Sequence, residues 1–318
     1  MRTIPGSDRP LERARVLVTG GDGLIGCAVV RLLCELGADV SVYDLATDRA
    51  AGAGAGTLLS GSITDVEGVR KAVPGHDAVV HLAGLAGLDR GTPEEIYTTN
   101  TLGTFLVMEA AAHAGIRKVV YASSINASGL PLNPHPVLPS RYPWDEDQAA
   151  DIADAYSLSK KANEAAAHAA ARRHGLSLTG LRYPLVRDIA GDGGVAFARH
   201  IRQALRDDPR RQACEGWTYL DVRDAAAATV AALTHDTPPA PGILVAAPRT
   251  YLRQDTDEAL SRFAPTVPRD PVRDRDVPVT LDRAAAQLGF RATVALEDLG
   301  THLLADLDEL SPLDEVVT

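Results

Sequence analysis

Two kinds of hydrophobic block alternate along the chain. Short aliphatic runs at Val16–Val18, Val40–Tyr43 and Lys118–Ala122, with a nearly all-apolar one inside His76–Gly84, read as parallel strands covered on both faces. Between them, apolar residues recur every three or four positions, as in Leu24, Ile25, Ala28, Val29, Leu32, Leu33 and Leu36, and these stretches read as helices packed on the strands. Gly37 should end the first helix, Asp65 either cap a helix over Val66–Val73 or sit near an adenine, Gly115 end a helix over Glu94–Ala114, and Gly175 end one over Asp151–Arg173. A short strand is expected around Leu58 and Leu59, and Ala50–Gly56, low in complexity, reads as a loose loop. Later come helices over Val195–Leu205 and Asp221–Leu233 and a strand over Gly242–Ala246. Strand and helix alternate often enough to predict an α/β fold built on a doubly wound parallel sheet. Right-handed crossovers then line up the strand ends Gly20, Asp44, Gly84 and Ser124 along one edge, where a ligand belongs.

The first strand runs directly into Gly20, Gly21, Gly23 and Gly26 and then into the first helix. Glycines in that position make a tight turn and let the backbone approach a pyrophosphate, which rests on the free N–H groups of the helix start. The second strand ends at Asp44, near the spacing of about 20 residues at which a carboxylate meets an adenosine ribose. Dinucleotide binding follows. Because Leu45 rather than an arginine comes next, NAD is expected over NADP.

Composition narrows the partners. The 318 residues carry a formal net charge of −10, which argues against nucleic acid. The opening residues lack the apolar core of a signal peptide or membrane anchor, and residues 1–14 read as a mobile tail. Cys27, Cys34 and Cys214 are odd in number and lack metal-ligand spacing, so no metal is expected; core thiols in a reducing, cytoplasmic setting fit best. His81, inside a buried strand, reads as a hydrogen-bonded core histidine. Leu130–Trp144 holds five prolines and reads as a loop lying over the ligand edge.

The helix that follows carries Tyr156 and Lys160, four residues apart and so on one face. A tyrosine has an ordinary pKa near 10, so ionising it at pH 7 costs roughly 4 kcal/mol. A neighbouring ammonium and an oxidised nicotinamide both favour the anion. Tyr156 is therefore the candidate general base that takes a hydroxyl proton while hydride leaves the same carbon.

Taken in order, TGGDGLIG (Thr19–Gly26), HLAG (His81–Gly84), NTLGT (Asn100–Thr104), YASS (Tyr121–Ser124), YSLSK (Tyr156–Lys160), LRYPLV (Leu181–Val186), WTYLDVRDAA (Trp217–Ala226) and LDRAAAQLGFRATVALED (Leu281–Asp298) resemble the motifs of an extended short-chain dehydrogenase/reductase, the NAD-dependent epimerase/dehydratase family. The resemblance spans nearly the whole chain. It implies a NAD-binding Rossmann domain over residues 15–183 and a mostly substrate-binding cap over 184–318, with segments near 217–246 returning to the sheet. It assigns Ser124, Tyr156 and Lys160 to catalysis, with Lys160 also holding the nicotinamide ribose. It places Gly20, Gly23, Leu24, Ile25, Gly26, Asp44, Leu82, Ala83, Gly84, Asn100, Ser123, Pro184 and Val186 around the cofactor, with Ser62 and the Ile63 backbone beside the adenine. Ser124, Asn126 and Trp217 fall to the substrate, Ser123 and Asn126 being the rivals of Ser124 for the reacting oxygen. A homodimer joined through the helices Glu94–Ala114 and Asp151–Arg173 is also implied.

The sequence departs from the family at four points. Ser62 replaces the usual aspartate, Ser128 a common tyrosine, and Glu215 and Trp217 stand where nucleotide-sugar members offer an arginine to the diphosphate. Ile125 and Asn126 replace the acidic pair of the dehydratases. The reading favoured is NAD-dependent hydride transfer at a hydroxyl-bearing carbon of a sugar-like substrate, with Trp217 stacking on a ring face. The alternatives are a nucleotide-sugar 4-epimerase, for which Arg187, Arg199 and Arg202 remain available, and a catalytically silent NAD-binding regulator.

Overall fold

The structure, a computed structural model, describes residues 11–135, 137–235 and 240–308. The first half alternates β1 (Arg15–Thr19), α1 (Leu24–Glu35), β2 (Asp39–Asp44), α2 (Asp48–Gly52), β3 (Thr57–Ser60), α3 (Val66–Ala72), β4 (Ala78–His81), α4 (Pro93–His113) and β5 (Lys118–Ser124). There follow α5 (Ala155–His174), β6 (Ser177–Tyr183), β7 (Leu185–Arg187), α6 (Val195–Asp207), α7 (Pro209–Cys214), β8 (Tyr219–Asp221), α8 (Val222–Thr234), β9 (Ala240–Leu244), α9 (Thr256–Phe263) and α10 (Asp282–Leu288).

Seven strands form one sheet in the order β3-β2-β1-β4-β5-β6-β9, and every pairing is parallel. The doubly wound prediction holds. Order reverses between β1 and β4, and the crevice at their carboxyl ends is the place such sheets bind ligands. One apolar layer, with Val29, Val30 and Leu33 of α1 and Ala225 and Ala228 of α8, covers one face. Another, with Val107 and Met108 of α4 and Ala167 and Ala170 of α5, covers the other. A third cluster stands beyond the sheet and gathers Trp144, Phe197, Ile201, Trp217, Tyr251 and Leu260. The short β7-β8 sheet joins that cluster to the core.

Local chemistry sets the element ends. Asp65 accepts the Glu67 N–H and caps α3, as expected. Thr92 and Glu95 close a capping box on α4. In α5 the cap is Asp154, which accepts the Ser157 N–H, so this helix starts at Ala155 rather than Asp151. The loop expected over Ala50–Gly56 is partly helical instead: Ala50 is buried and its N–H donates to Asp22 Oδ1 at 2.9 Å, a tertiary anchor that local composition does not reveal. Residues 1–10 of the expected tail lie outside the described residues. Leu11 corrects the rest of it: the side chain is fully buried, and Arg13 N–H donates to Gly37 O at 2.8 Å. The described residues of the Pro-rich segment are non-helical, and Tyr142 and Trp144 root it in the third cluster through bonds to Ala213 O and Cys214 O.

Candidate active site

The turn after β1 is shaped by two close approaches. Gly20 has φ +74°, and a side chain there would meet the backbone of Leu82 and Ala83; a side chain on Gly26 would meet Gly20 O and, at 2.7 Å, Gly21 Cα. Only glycine lets α1 start this close to the strand end. No side chain caps α1 at Gly23, so its first N–H groups remain for an anion. Asp44 ends β2; its Oδ2 accepts the Asp22 N–H at 3.0 Å and its Oδ1 the Leu45 N–H at 2.7 Å, which fixes the carboxylate while leaving lone pairs for ribose hydroxyls. These features fit a dinucleotide.

A cavity of about 1050 Å³ opens along this edge. Gly20, Gly23, Leu24, Ile25 and Gly26 line one end, Leu82 and Gly84 the middle, and Pro184 and Val186 the side toward the third cluster. Ser123, Ser124, Asn126, Tyr156 and Lys160 line its floor.

Ser124 ends β5 and its Oγ accepts both the backbone and the side-chain N–H of Asn126, at 3.2 and 3.3 Å. Tyr156 lines the same floor beside Ser124. Burial pushes the Tyr156 phenol above its ordinary range, and the neighbouring Ser124 hydroxyl works against that shift. One turn along α5, Lys160 Nζ lies 5.7 Å from the centre of the Tyr156 ring and donates to Ala122 O at 3.0 Å. Burial lowers the Lys160 pKa to about 8.

The rivals of Ser124 separate. The Ser123 hydroxyl donates to Glu164 Oε1 at 2.8 Å, and Glu164 is held by Arg182 Nε at 2.7 Å in a buried ion pair. It is thus committed away from the reaction. Asn126 keeps a buried Oδ1 with no partner, open to a donor from the cavity.

Several predicted residues lie behind the wall. Asn100 is buried and spends its amide on Leu85 N–H, Leu85 O and Ser159 Oγ, tying the loop after β4 to α5. Ala83 packs against Gly20. Ser62 Oγ bonds Thr64 Oγ1 at 2.8 Å, and Ile63 lies under Gly103. His81 is the expected core histidine: Thr19 Oγ1 and Thr104 Oγ1 lie 2.6 and 3.0 Å from its two ring nitrogens, and burial drives its pKa down to about 3. Trp217 is a correction. It is fully buried with φ 50°, its ring centre 6.3 Å from that of Phe263, and it belongs to the third cluster rather than to the cavity. Arg202 is likewise turned away, onto His302 O and Leu304 O.

The sequence did not single out Arg49, Arg211 or Gln212, which line the cavity, and gave Glu215 only as a replacement. Arg211 Nε donates to Glu215 Oε1 at 3.0 Å. Arg49 lies on α2 and Arg211 and Gln212 on α7, where charged and polar residues read as an ordinary solvated surface.

Sheet order, switch-point crevice and the Ser-Tyr-Lys floor together define a dinucleotide-dependent oxidoreductase fold. A model described as the NAD dependent epimerase/dehydratase family matches residues 16–247, and the chain belongs to that family. Cinnamoyl-CoA reductase 1 of Petunia hybrida is 31% identical over 271 residues, covering 80% of this chain and 78% of the relative. UDP-glucose 4-epimerase of Azospirillum brasilense is 32% identical over 205 residues, 61% of this chain and 57% of the relative. Among solved structures, a short-chain dehydrogenase/reductase superfamily protein from Agrobacterium tumefaciens with bound NAD superimposes with a TM-score of 0.67 at 22% identity, covering 90% of this chain and 94% of the other. UDP-glucose 4-epimerase from Thermotoga maritima, with UDP-glucose, gives 0.65 at 23% identity, over 91% and 97%. The chain is an enzyme of this family and its cofactor is NAD.

Proposed function

We propose that the enzyme moves hydride at a hydroxyl-bearing carbon of a carbohydrate-type substrate, as an epimerase or a dehydrogenase. The observation that carries this reading is that Ser124, Tyr156 and Lys160 line one cavity floor together, with Lys160 one turn along the helix from Tyr156. Ser124 orients the substrate oxygen, and Tyr156 removes its proton. Lys160, fixed by Ala122 O, brings positive charge toward the phenol and donates to a ribose hydroxyl. The glycine turn from Gly20 to Gly26 and the α1 start would hold NAD, which would supply the hydride acceptor for that carbon. Asn126 offers its unpartnered Oδ1 to a second hydroxyl. The substrate lies between the sheet edge and the cap formed by residues of 184–318.

A nucleotide-sugar 4-epimerase is the second reading, favoured by Arg187 and Arg211 on the cavity wall. We also place the enzyme as a homodimer through α4 and α5, which pack together and leave Tyr97, Leu102, Phe105 and Leu158 39–48% exposed. Free cysteines suit a reducing, cytoplasmic setting; among the described residues no helix is long and apolar enough to cross a membrane. The test is to purify the protein gently, identify any bound nucleotide and its oxidation state, and follow absorbance at the reduced-nicotinamide band with sugars, sugar acids and nucleotide sugars. Net NADH formation supports a dehydrogenase, and interconverted sugars without it an epimerase. No change with any carbinol overturns the proposal.

A further inference from the structure

Arg187 ends β7 on the cavity wall, half-buried, and among the described residues its Nη1 donates only to its own neighbour, Val186 O, at 2.8 Å. Burial and the nearby Arg90 both push it below its ordinary range, and among the described residues no carboxylate forms an ion pair with it. A guanidinium withdrawn from water without a counter-ion is costly, and a binding site that awaits an anion is one arrangement that offsets the cost. His200, from α6, lines the same wall and is held toward its neutral form by burial, by Arg187 and by Arg211. All three side chains line the one cavity. Arg211 is steadied by Glu215.

We propose that Arg187, with His200 and Arg211 beside it, forms a subsite for one compact anion carried by the substrate, a carboxylate or a phosphate monoester, away from the carbon that reacts. Glu215, Asp207 and Asp208 line the same wall. Their charges leave room for a single anionic group gripped by the Arg187 fork and oppose the extended charge of a nucleoside diphosphate. The proposal rests on the cavity being the substrate site, and it narrows the carbohydrate class to sugar acids or sugar phosphates.

Calorimetry on the NAD-loaded protein tests it, with glucose, glucuronate, glucose 6-phosphate and UDP as probes. Glucuronate or glucose 6-phosphate should bind at least 10-fold more tightly than glucose; whichever does so identifies the carboxylate or the phosphate source. Arg187→Met should remove that advantage with NAD affinity unchanged, and Arg187→Lys should restore part of it, which separates lost charge from lost folding. Equal affinity for glucose and both anions, a preference that survives Arg187→Met, or UDP binding tighter than either anionic sugar would overturn the proposal. The readout needs no turnover. Tyr156→Phe protein should keep the preference, so failure of the hydride-transfer reading and failure of this subsite are told apart.

Discussion

Lys160 Nζ stands 5.7 Å from the centre of the Tyr156 ring, one turn further along α5. The helix fixes that offset, and Ala122 O fixes the ammonium from the β5 side. Removing the phenolic oxygen alone leaves this frame intact. Tyr156→Phe should therefore lower turnover by about 100-fold or more while NAD affinity stays nearly unchanged. Steady-state rates and a cofactor titration on the same preparation check both parts, and near wild-type turnover would mean that the proton goes elsewhere.

Lys160 is buried as a cation, and burial brings its pKa from 10.5 to about 8. Between those two values the unfolded chain holds the proton and the folded protein does not, so the stability of the cofactor-free protein should rise with pH across that window. Below pH 8 both states are protonated and the whole charge-burial cost is present, about 3 kcal/mol at 1.36 kcal/mol per pKa unit. Lys160→Met should lack this rise, and near neutral pH it should match or exceed the wild type in stability despite losing the bond to Ala122 O. Urea midpoints from pH 7 to 10.5 decide it; parallel curves for the two proteins would refute the linkage.

The Tyr156 and Lys160 pair was legible because helical periodicity converts a spacing of four residues into a shared face. So was the glycine turn, since the steric demands at Gly20 and Gly26 are local. Trp217 was misplaced because sequence shows an aromatic near the site and not the direction of its ring. A backbone turn at φ 50° sends it onto Phe263 instead of a sugar. Asn100 was placed at the cofactor by the resemblance alone, and in the structure it acts one layer back, holding Leu85. Arg49 and Arg211 sit on helices whose charged residues look like ordinary solvated ones until tertiary packing turns them to the cavity.

Arg49 bears on cofactor choice. Its Nη1 donates to Asp22 O at 3.1 Å, and Asp22 is also the residue whose N–H is held by Asp44. A guanidinium thus stands on the adenosine side, and Asp44 is the negative charge that a 2′-phosphate would meet there. Asp44→Ser should weaken NAD binding and strengthen NADP binding, reversing or closing the gap between them by about 10-fold or more. Arg49→Met on top of it should cancel the gain for NADP. Fluorescence titration of both cofactors is the measurement, and unchanged preference in Asp44→Ser would show that the carboxylate does not discriminate.

The last prediction concerns assembly. On α4, Tyr97, Leu102 and Phe105 are 39, 40 and 48% exposed, and Leu158 on α5 is 46% exposed. Ala165 and Ala169 are exposed on α5 as well, which lets another helix approach closely. A second copy meeting the same two helices about a two-fold axis would bury each of these residues twice, once per subunit, at little cost in polar desolvation. One charge at the most exposed of them should therefore act twice per dimer. Phe105→Glu should shift the protein from dimer to monomer at micromolar concentration, and its helical content should stay as in the wild type because residue 105 does not contribute to the core. Light scattering coupled to gel filtration reads the mass. A wild-type protein that is monomeric under those conditions, or a Phe105→Glu variant that remains dimeric, would remove α4 and α5 as the dimer contact.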